Sequence, residues 1–366
     1  MSTAPRATPT PTGRVRTIRS RSCRATAPTV SPTAAPRRRR KRSKRPWPAT
    51  SLDPKRLADG LLESPAALRV LFEEAVPFRH LTFEQFFEPA LLERLIADFP
   101  AFEQGSSRNE MGAAGGKSHR TDVAAISPAY AEIDALMRSS ELLGLLSAAT
   151  GIPDLLYDPD YVGGGTHENL SGQDLDPHID FNFHPTRGWH RRLNLIVFLN
   201  REWEESWGGV LELHSDPRVP ERDRVARVLP RANRAVLFET TEGSWHGFRA
   251  VRAPAGVSRR SLAVYFYTHE RPREETAPSH STVYRQRGLP ERLTPGHTLT
   301  ADDLAEVQAL LARRDAQIEF LYDREKRMQS DFDAARLAVE SSLSFRLGRV
   351  LTGPLRALRG LLEPRR

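Results

Sequence analysis

The chain has 366 residues, of which 27% are charged and 39% hydrophobic, and a formal net charge of +8 at pH 7. This is the composition of a soluble protein, and no run of eighteen apolar residues occurs, which argues against a transmembrane helix. The positive charge comes from residues 1–50, which contain fourteen Lys or Arg and no Asp or Glu. The other 316 residues carry 40 basic and 46 acidic side chains, so the part expected to fold is slightly acidic.

Residues 1–50 form a basic leader rich in Pro, Thr, Ala and Arg, and we predict that this leader is disordered. Its basic run, 37–45, is of the kind that binds nucleic acid or an anionic membrane, and a solvated tail is the alternative. The leader lacks the apolar segment of a secretory signal, so we predict a cytoplasmic protein, with peripheral membrane contact as an open alternative. Cys23, the single cysteine, lies in the leader, and any metal in the folded part must therefore be held by His and carboxylate groups.

After the leader, the sequence predicts helices first and strands later. Residues 51–104 show apolar residues at three- and four-residue spacing, a Gly- and Ser-rich segment at 103–120 predicts a loop, and another helix is expected near 127–150. Residues 155–270 contain short apolar runs separated by turn residues, as in an antiparallel barrel or sandwich. This order predicts an α+β domain over 51–290, with helices on one side of a β-sandwich.

Residues 300–342 have apolar residues alternating by three and four over about five heptads, which is the pattern of a coiled-coil seam. The seam positions are Leu304, Val307, Leu311, Arg314, Ile318, Leu321, Glu325, Met328, Phe332, Ala335 and Val339. A coiled coil would make the protein a homo- or hetero-oligomer, whereas one long helix packed on its own domain fits the same pattern. Residues 343–366 form a basic amphipathic tail, which suits a membrane surface, a partner protein or solvent.

Two His-x-Asp matches, His178-Ile-Asp180 and His214-Ser-Asp216, are candidates for a metal site. Residues two apart on a strand point to the same face, so one strand can present both ligands to a single ion. A third ligand from a distant strand completes the two-His-one-carboxylate set of non-haem Fe(II) oxygenases, and His246, which begins another strand-like run, is the candidate. The second match precedes a charged turn, and we interpret it as a strand end followed by a turn-forming Asp-Pro.

Downstream of His246, the run SRRSLAVYFYT places Arg259 and Ser261 on one face of a strand. A buried Arg in such a position requires an anion, and its planar fork suits a carboxylate. Because Arg259 and Arg260 are adjacent, one must face inward and the other outward. The Arg-x-Ser spacing, which lets the hydroxyl share the same carboxylate, favours Arg259, and two surface Arg paired with acids are the alternative.

The ordered series HID, RRLNLIVFLNREW, GGVLEL, WHG and SRRSLAVYFYT resembles the 2-oxoglutarate- and Fe(II)-dependent dioxygenases, in particular the prolyl 4-hydroxylase-like group. The resemblance covers about residues 75–270. It implies a double-stranded β-helix, also described as a jelly-roll or cupin-like fold, with flanking helices and a core at about 155–270. The whole chain would then be this α+β domain followed by a C-terminal coiled-coil helix.

The resemblance also implies a metal and co-substrate site. Fe(II) would be held by His178, Asp180 and His246, while 2-oxoglutarate chelates the iron and Arg259 binds its far carboxylate. O2 is the other implied co-substrate, and ascorbate is an additional candidate cofactor. The expected reaction is hydroxylation of a peptidyl proline, an amino acid or another small molecule such as a glycan precursor, with release of succinate and CO2. Asp180 favours hydroxylation, since related halogenases replace that carboxylate by a small residue.

Further site residues are carried over from the resemblance. Asn194 and Phe198 lie on the strand that lines the 2-oxoglutarate pocket in relatives. Phe198 stands where some relatives have a Tyr that hydrogen-bonds the co-substrate, so Asn194 is the candidate substitute. His167 is a candidate near the iron-proximal carboxylate, with an exposed loop histidine as the alternative. His184 is expected in the loop on the substrate side and outside the metal set.

Two functions from other classes account for parts of the pattern. A non-enzymatic coiled-coil scaffold with a degenerate jelly-roll domain is disfavoured by the intact set of three ligands. A Zn hydrolase built on the same three ligands lacks an evident general base, and it leaves Arg259 unexplained.

Overall fold

The computed structural model describes residues 64–108, 114–290 and 292–362, so the predictions for the basic leader and Cys23 lie outside the described residues. The four helices of the first part are α1 Pro65–Glu74, α2 Pro89–Ala97, α3 Pro128–Met137 and α4 Ser140–Thr150. Proline begins three of them, where the missing N–H costs no hydrogen bond. The hydroxyls of Ser127 and Ser139 accept backbone N–H groups of the first turns of α3 and α4, which fixes where those helices start.

The strands lie between and after these helices. Their bounds are β1 His80–Phe83, β2 Ser106–Arg108, β3 Ala114–Arg120, β4 Leu156–Tyr157, β5 Gly165–Asn169, β6 Leu175–Ile179, β7 His190–Phe198, β8 Leu211–His214, β9 Val225–Val228, β10 Ala235–Glu239, β11 Trp245–Phe248, β12 Arg259–Thr268 and β13 Val283–Tyr284. The segment 103–120 was predicted as a loop, and this prediction is wrong, because β2 and β3 lie in it. β3 pairs with β5, with Lys117 opposite Asn169 and Arg120 opposite Thr166. This pairing forms a strand despite the Gly-rich composition of the segment.

The strands form two antiparallel sheets. The larger sheet has the order β1-β10-β7-β12-β5-β3-β2, with β4 paired to β12, and the smaller has the order β13-β6-β11-β8-β9. The helices α1 to α4 share an apolar core with the larger sheet. Antiparallel sheets flanked by helices confirm the predicted α+β class and fit the jelly-roll fold that the resemblance implies.

Alternation along β7 gives the larger sheet two different faces. Leu193, Leu195 and Val197 belong to the core shared with the helices. Ile196 and Phe198 instead pack in the apolar cluster that includes residues of β8, in the smaller sheet. The inner face of the larger sheet therefore looks toward the smaller sheet, and polar residues on that face lie between the two sheets.

The C-terminal part consists of two helices, α5 Ala301–Ser341 and α6 Leu343–Leu362. α5 begins with a capping box, in which the side chains of Thr300 and Asp303 each accept the other residue's backbone N–H. Its less exposed side chains are Asp303, Val307, Leu310, Arg313, Gln317, Phe320 and Arg324. Their spacing of three and four residues defines one stripe, which packs on the β-domain.

Apart from Val307, the predicted seam of α5 lies on a different stripe from the one that packs on the β-domain. Leu311, Ile318 and Met328 are about half exposed or more. The first half of α5 is therefore the long helix packed on its own domain that was weighed against a coiled coil. Self-association through the exposed seam stays a prediction. No helix in the described ranges is both long and apolar enough to cross a membrane.

Candidate metal centre and co-substrate pocket

Three side chains from two neighbouring strands of the smaller sheet converge between the sheets. His178 on β6 lies directly opposite His246 on β11, with their ring centroids 4.1 Å apart. Asp180 follows the end of β6, and its carboxylate oxygens lie 3.6 Å from Nε2 of His178 and 3.7 Å from Nε2 of His246. One ligand atom from each residue lies within 4.8 Å of the other two, which is close enough for a single ion to contact all three.

Backbone carbonyls orient the two imidazole rings. Nδ1 of His178 lies 3.0 Å from the carbonyl oxygen of Asp176, and Nδ1 of His246 lies 3.0 Å from that of Ser244. Because a carbonyl only accepts, each Nδ1 carries the proton and each Nε2 presents its lone pair toward Asp180. This is the arrangement that holds metal-ligating histidines in place, and the donor set of two imidazoles and one carboxylate fits Fe(II).

The charge state of the three side chains suits a cation. Burial lowers the pKa of His246 to about 4, with His178 adding to the effect, so this imidazole is neutral at pH 7. Burial alone would raise the pKa of Asp180, but the guanidinium of Arg191 and the two histidines hold it well below its usual range. Nη1 of Arg191 lies 2.9 Å from Oδ2 of Asp180, and the amide of Asn194 donates to the same oxygen at 3.3 Å. The carboxylate is therefore ionised and fixed in orientation.

The second His-x-Asp match has another role, as predicted. His214 ends β8, and its Nδ1 lies 2.6 Å from Oδ2 of Asp223. Asp216 accepts the backbone N–H and the guanidinium of Arg218, and so closes the turn after the strand. His214 and Asp216 are thus engaged in local contacts, and neither belongs to the group formed by His178, Asp180 and His246.

His184 also lies apart from the three converging side chains. It is buried, and its Nε2 lies 3.2 Å from Oδ1 of Asp158. Asp160 is the third member of this second cluster of His and Asp, and Arg187 pairs with its carboxylate at 2.6 Å. The cluster is internally paired and links the loop before β7 to the segment after β4.

A cavity of about 310 Å³ extends from the three converging side chains to the end of β12 at which the strand begins. Arg259 lies at that end and is 4% exposed, and its Nε donates to the carbonyl of Gly209 at 2.7 Å. The rings of Phe248 and Phe198 lie against its guanidinium, with centroids 4.2 Å and 5.1 Å away. Arg259 forms no ion pair with any residue that the structure describes. Burial lowers the pKa of Arg259 to about 9, which leaves it cationic at pH 7.

A buried guanidinium without an acidic partner requires an anion from outside the protein, because an unpaired buried charge is costly. Arg260 differs in this respect, since it is partly exposed and its Nε donates to Glu168 at 3.0 Å. Alternation along β12 therefore places Arg259 in the cavity and Arg260 outside it. The size of the cavity, its cationic end and the metal ligands at the other end fit a small dicarboxylate such as 2-oxoglutarate.

Gly209 leaves room for the side chain of Arg259. Its φ is +63°, and a Cβ there would lie 3.1 Å from Cδ of Arg259 and from the ring of Trp203. At Gly208 a Cβ would lie 2.2 Å from the carbonyl oxygen of Ala250. The Gly-Gly pair therefore serves close approach of chain segments, so that Arg259 can lie across the backbone of its neighbour.

The remaining predicted polar residues, Ser261, His167 and Asn194, line the same cavity. Ser261 lies opposite His167 of β5 on one side and Phe198 of β7 on the other, which gathers these three at the Arg259 end. Burial, with Lys117 nearby, lowers the pKa of His167, so this imidazole is neutral. Nε2 of His167 and Oδ1 of Asn194 are buried without hydrogen-bond partners among the described residues. Both atoms are therefore available to a bound molecule.

Arg191 is a site residue that the sequence did not single out. It is 1% exposed, and its guanidinium lies between the rings of Phe181 and Tyr265, at 3.6 Å and 3.8 Å from their centroids. Strand alternation from Asn194 would turn Arg191 away from the cavity. A bulge in the pairing of β7 with β12 reverses the faces at this point. The bulge has no signal in the sequence.

The outer wall of the cavity comes from the segment after the jelly roll, which was also missed. Tyr284 on β13 pairs with His178 and stacks on its ring with centroids 5.4 Å apart. Arg313 and Gln317 of α5 line the cavity next to Gln286. Nη1 of Arg313 lies 2.9 Å from Oδ2 of Asp174, and the side chains of Gln286 and Gln317 are hydrogen-bonded to each other.

Residues 165–267 match the family model described as the 2OG-Fe(II) oxygenase superfamily. This region contains all three converging metal ligands and Arg259. The region is therefore similar to the 2-oxoglutarate- and Fe(II)-dependent oxygenases, and Fe(II) and 2-oxoglutarate, which were predicted from the sequence, are the two groups named in the description of this family.

Curated proteins with similar sequences are prolyl hydroxylases. The chain is 31% identical over 147 residues to the prolyl 3,4-dihydroxylase OGFOD1 of Ostreococcus tauri, covering 34% of this chain and 28% of the relative. It is 29% identical over 110 residues to the mouse prolyl 3-hydroxylase OGFOD1, covering 27% of this chain and 20% of the relative. The match spans less than a third of either relative, and the predicted resemblance to the prolyl hydroxylase group is confirmed for this region.

Two solved structures give similar comparisons. A prolyl 4-hydroxylase from Phytophthora capsici aligns with 81% of this chain and 89% of its own, at 18% identity and a TM-score of 0.40. A prolyl 4-hydroxylase from Pseudomonas putida aligns with 57% of this chain and 100% of its own, at 18% identity and a TM-score of 0.41.

Proposed function

We propose that the protein is an Fe(II)- and 2-oxoglutarate-dependent hydroxylase. The observation that carries the proposal is that one cavity holds both a set of two His and one Asp and a buried Arg without an acidic partner. The first end suits a metal with open positions, and the second suits a carboxylate. Neither a non-enzymatic scaffold nor a Zn hydrolase needs both a set of metal ligands and a buried, unpaired Arg in one cavity.

In this proposal His178, Asp180 and His246 are the iron ligands, and Fe(II), when bound, supplies O2 activation coupled to decarboxylation of 2-oxoglutarate. Arg259 holds the far carboxylate of 2-oxoglutarate, with the hydroxyl of Ser261 on the same face of β12. The side chains of the protein orient the reactants and keep water away, as expected where the cofactor performs the chemistry.

Other residues keep this geometry fixed. Arg191 and Asn194 hold the carboxylate of Asp180 in one orientation, so that the same oxygen faces the metal throughout turnover. The side chains of Ile196 and Phe248 line the cavity between the metal ligands and Arg259, and the ring of Phe198 lies against the guanidinium of Arg259, so that water is excluded. The net reaction consumes 2-oxoglutarate, O2 and a substrate C–H bond, and it gives succinate, CO2 and the hydroxylated substrate.

For the substrate we propose a prolyl residue within a peptide. The support is that the relatives identified by sequence are named as prolyl hydroxylases. A free amino acid or a glycan precursor is the competing substrate class, and the test below separates these classes.

The proposal is tested by anaerobic titration of the full chain with Fe(II) and then 2-oxoglutarate. We expect a weak visible charge-transfer band that requires both additions, followed by succinate release in air. Proline-containing peptides, free amino acids and nucleotide sugars are then supplied in turn, and hydroxylated product is measured by mass. If no band forms and no succinate is released, the protein is not an oxygenase. If succinate release increases with free amino acids or nucleotide sugars and not with peptides, only the substrate proposal is wrong.

The wall that α5 contributes to the cavity gives a prediction of its own. Replacing Arg313 by Ala removes its ion pairs with Asp174 and Asp176, at 2.9 Å and 3.5 Å. We expect amide hydrogen exchange in the first half of α5 to become about fivefold faster, since a partly buried pair contributes about 1 kcal/mol. Hydrogen-exchange mass spectrometry of the full chain measures this.

The matched control is Arg314→Ala. Arg314 is exposed and forms no ion pair with a described residue, so its removal deletes the same charge from the same turn without affecting the contact. Equal exchange in the two variants would contradict the assignment of Arg313 as the anchor of α5.

A further inference from the structure

The last helix, α6, carries charge of one sign only, and that charge is positive. Its sequence, LSFRLGRVLTGPLRALRGLL, contains Arg346, Arg349, Arg356 and Arg359 and no Asp or Glu. The preceding helix α5 mixes acidic and basic residues along its whole length. Ser342 between the two helices has extended backbone angles, so α6 is a separate helix and not a continuation of α5.

The described side chains of α6 form an apolar stripe that no other described part of the chain covers. Leu343, Leu347, Val350 and Leu351 fall within an arc of about 100° at the helical repeat of 3.6 residues per turn. They are 76%, 61%, 74% and 76% exposed. Four aliphatic side chains left in water on one face are unfavourable, and such a face marks an interaction surface.

Arginines border this stripe. Arg346 and Arg349 lie outside the arc of the four aliphatic residues, both are exposed, and neither pairs with an acid in the described parts of the chain. Among the side chains of α6 that the structure describes, Phe345 is the one large apolar residue outside the stripe. The sequence of the remaining turns adds Arg356 and Arg359 among leucines. α6 therefore offers apolar area and uncompensated positive charge together.

The helix is also poorly suited to existing alone in water. It contains Gly348, Gly353 and Gly360, each of which costs about 1 kcal/mol relative to Ala, and Pro354, which removes a backbone hydrogen bond. The sequence of α6 alone gives a weak tendency to form a helix, and burial of its apolar face in an apolar environment would stabilise that helix.

We infer that α6 lies in the plane of an anionic lipid bilayer. Its leucines and valine enter the boundary of the acyl chains, and its arginines pair with lipid phosphates. A second copy of the chain fits less well, because two such helices would bring eight arginines together without an acid from either. Nucleic acid would pair with the arginines but leave the apolar stripe in water. A helix of 20 residues lies flat along about 30 Å of membrane surface.

The consequence is that the oxygenase domain would be held at a membrane surface by a segment outside it. This inference does not depend on the chemistry proposed for the cavity, and its test does not use enzyme activity. It concerns an in-plane helix only, in agreement with the finding that no described helix suits a membrane span.

The test is sedimentation of the full chain with vesicles of phosphatidylcholine alone or mixed with phosphatidylglycerol. We expect binding to the mixed vesicles that weakens as salt is raised, and little binding to phosphatidylcholine alone. The double variant Leu347→Glu with Val350→Glu should bind the mixed vesicles at least about tenfold more weakly, because it puts charge into the apolar stripe. Matched thermal unfolding of the variant and the parent chain shows that the variant is folded.

The control carries the same charge change on the β-domain. Leu170 and Leu289 are exposed leucines at 39% and 62%, and Leu170→Glu with Leu289→Glu should leave vesicle binding unchanged. Binding that is equally strong in the α6 variant would overturn the inference and assign it to another basic segment. A dimer in the absence of vesicles, dissolved by the α6 substitutions, would overturn it in favour of a second copy.

Discussion

Replacing His178 by Ala is expected to reduce iron retention by more than about a hundredfold and succinate formation to below about one per cent of the parent protein. The reason is geometric, since His178, Asp180 and His246 line this cavity and place one ligand atom each within 4.8 Å of the other two. Loss of one ligand leaves two donors, which no longer define a face of the coordination sphere. Metal content after gel filtration and a succinate assay measure the two effects.

His214→Ala is the matched control, because it removes another buried histidine at the end of a neighbouring strand. His214 pairs with Asp223 at 2.6 Å and with Glu212 at 3.6 Å, so its loss costs stability but no metal ligand. We expect a lower unfolding temperature with iron content and turnover close to those of the parent. An inactive His214 variant beside an active His178 variant would mean that the other His-x-Asp pair holds the metal.

Strand periodicity made much of this site predictable. His178 and Asp180 were expected on one face because they are two residues apart. The same rule required one of Arg259 and Arg260 to face inward, and the Arg-x-Ser spacing favoured Arg259. Both arrangements are found in the structure, since a β-sandwich with one buried inner face enforces alternation. The register of the strands, which puts His246 directly opposite His178, depends on pairing between distant segments and was not derivable from local pattern.

Other contributions to the cavity depend on features without a local signal. Arg191 reaches the carboxylate of Asp180 because a bulge in β7 reverses the alternation that Asn194 would predict. In α5 the apolar residues suggested a seam, yet Arg313 and Gln317, one stripe away, contact the β-domain. Ion pairs and amide contacts determine which face of α5 packs on the β-domain, and the hydrophobic periodicity of a helix carries no information about such contacts.

The buried, unpaired guanidinium of Arg259 gives the most specific expectation for the co-substrate. Arg259→Ala should raise the KM for 2-oxoglutarate by about 30- to 1,000-fold, since breaking a buried charge pair with a carboxylate costs about 2–4 kcal/mol. The effect on kcat at saturating 2-oxoglutarate should be much smaller. Arg260→Ala is the control, because Arg260 already pairs with Glu168 outside the cavity.

Replacing Arg259 weakens the binding of 2-oxoglutarate, but it should not lower the stability of the protein when 2-oxoglutarate is absent. Burial lowers the pKa of Arg259 to about 9, so its ionised form is disfavoured by the fold at neutral pH. Arg259→Leu should therefore unfold at a temperature no lower than the parent when 2-oxoglutarate is absent, despite losing the bond to Gly209. When Fe(II) is present throughout under anaerobic conditions, addition of 2-oxoglutarate should stabilise the parent and the Arg260→Leu variant, while Arg259→Leu should gain almost nothing from that addition. Equal stabilisation of all three by 2-oxoglutarate would show that the far carboxylate is bound elsewhere, while the metal site could still be as described.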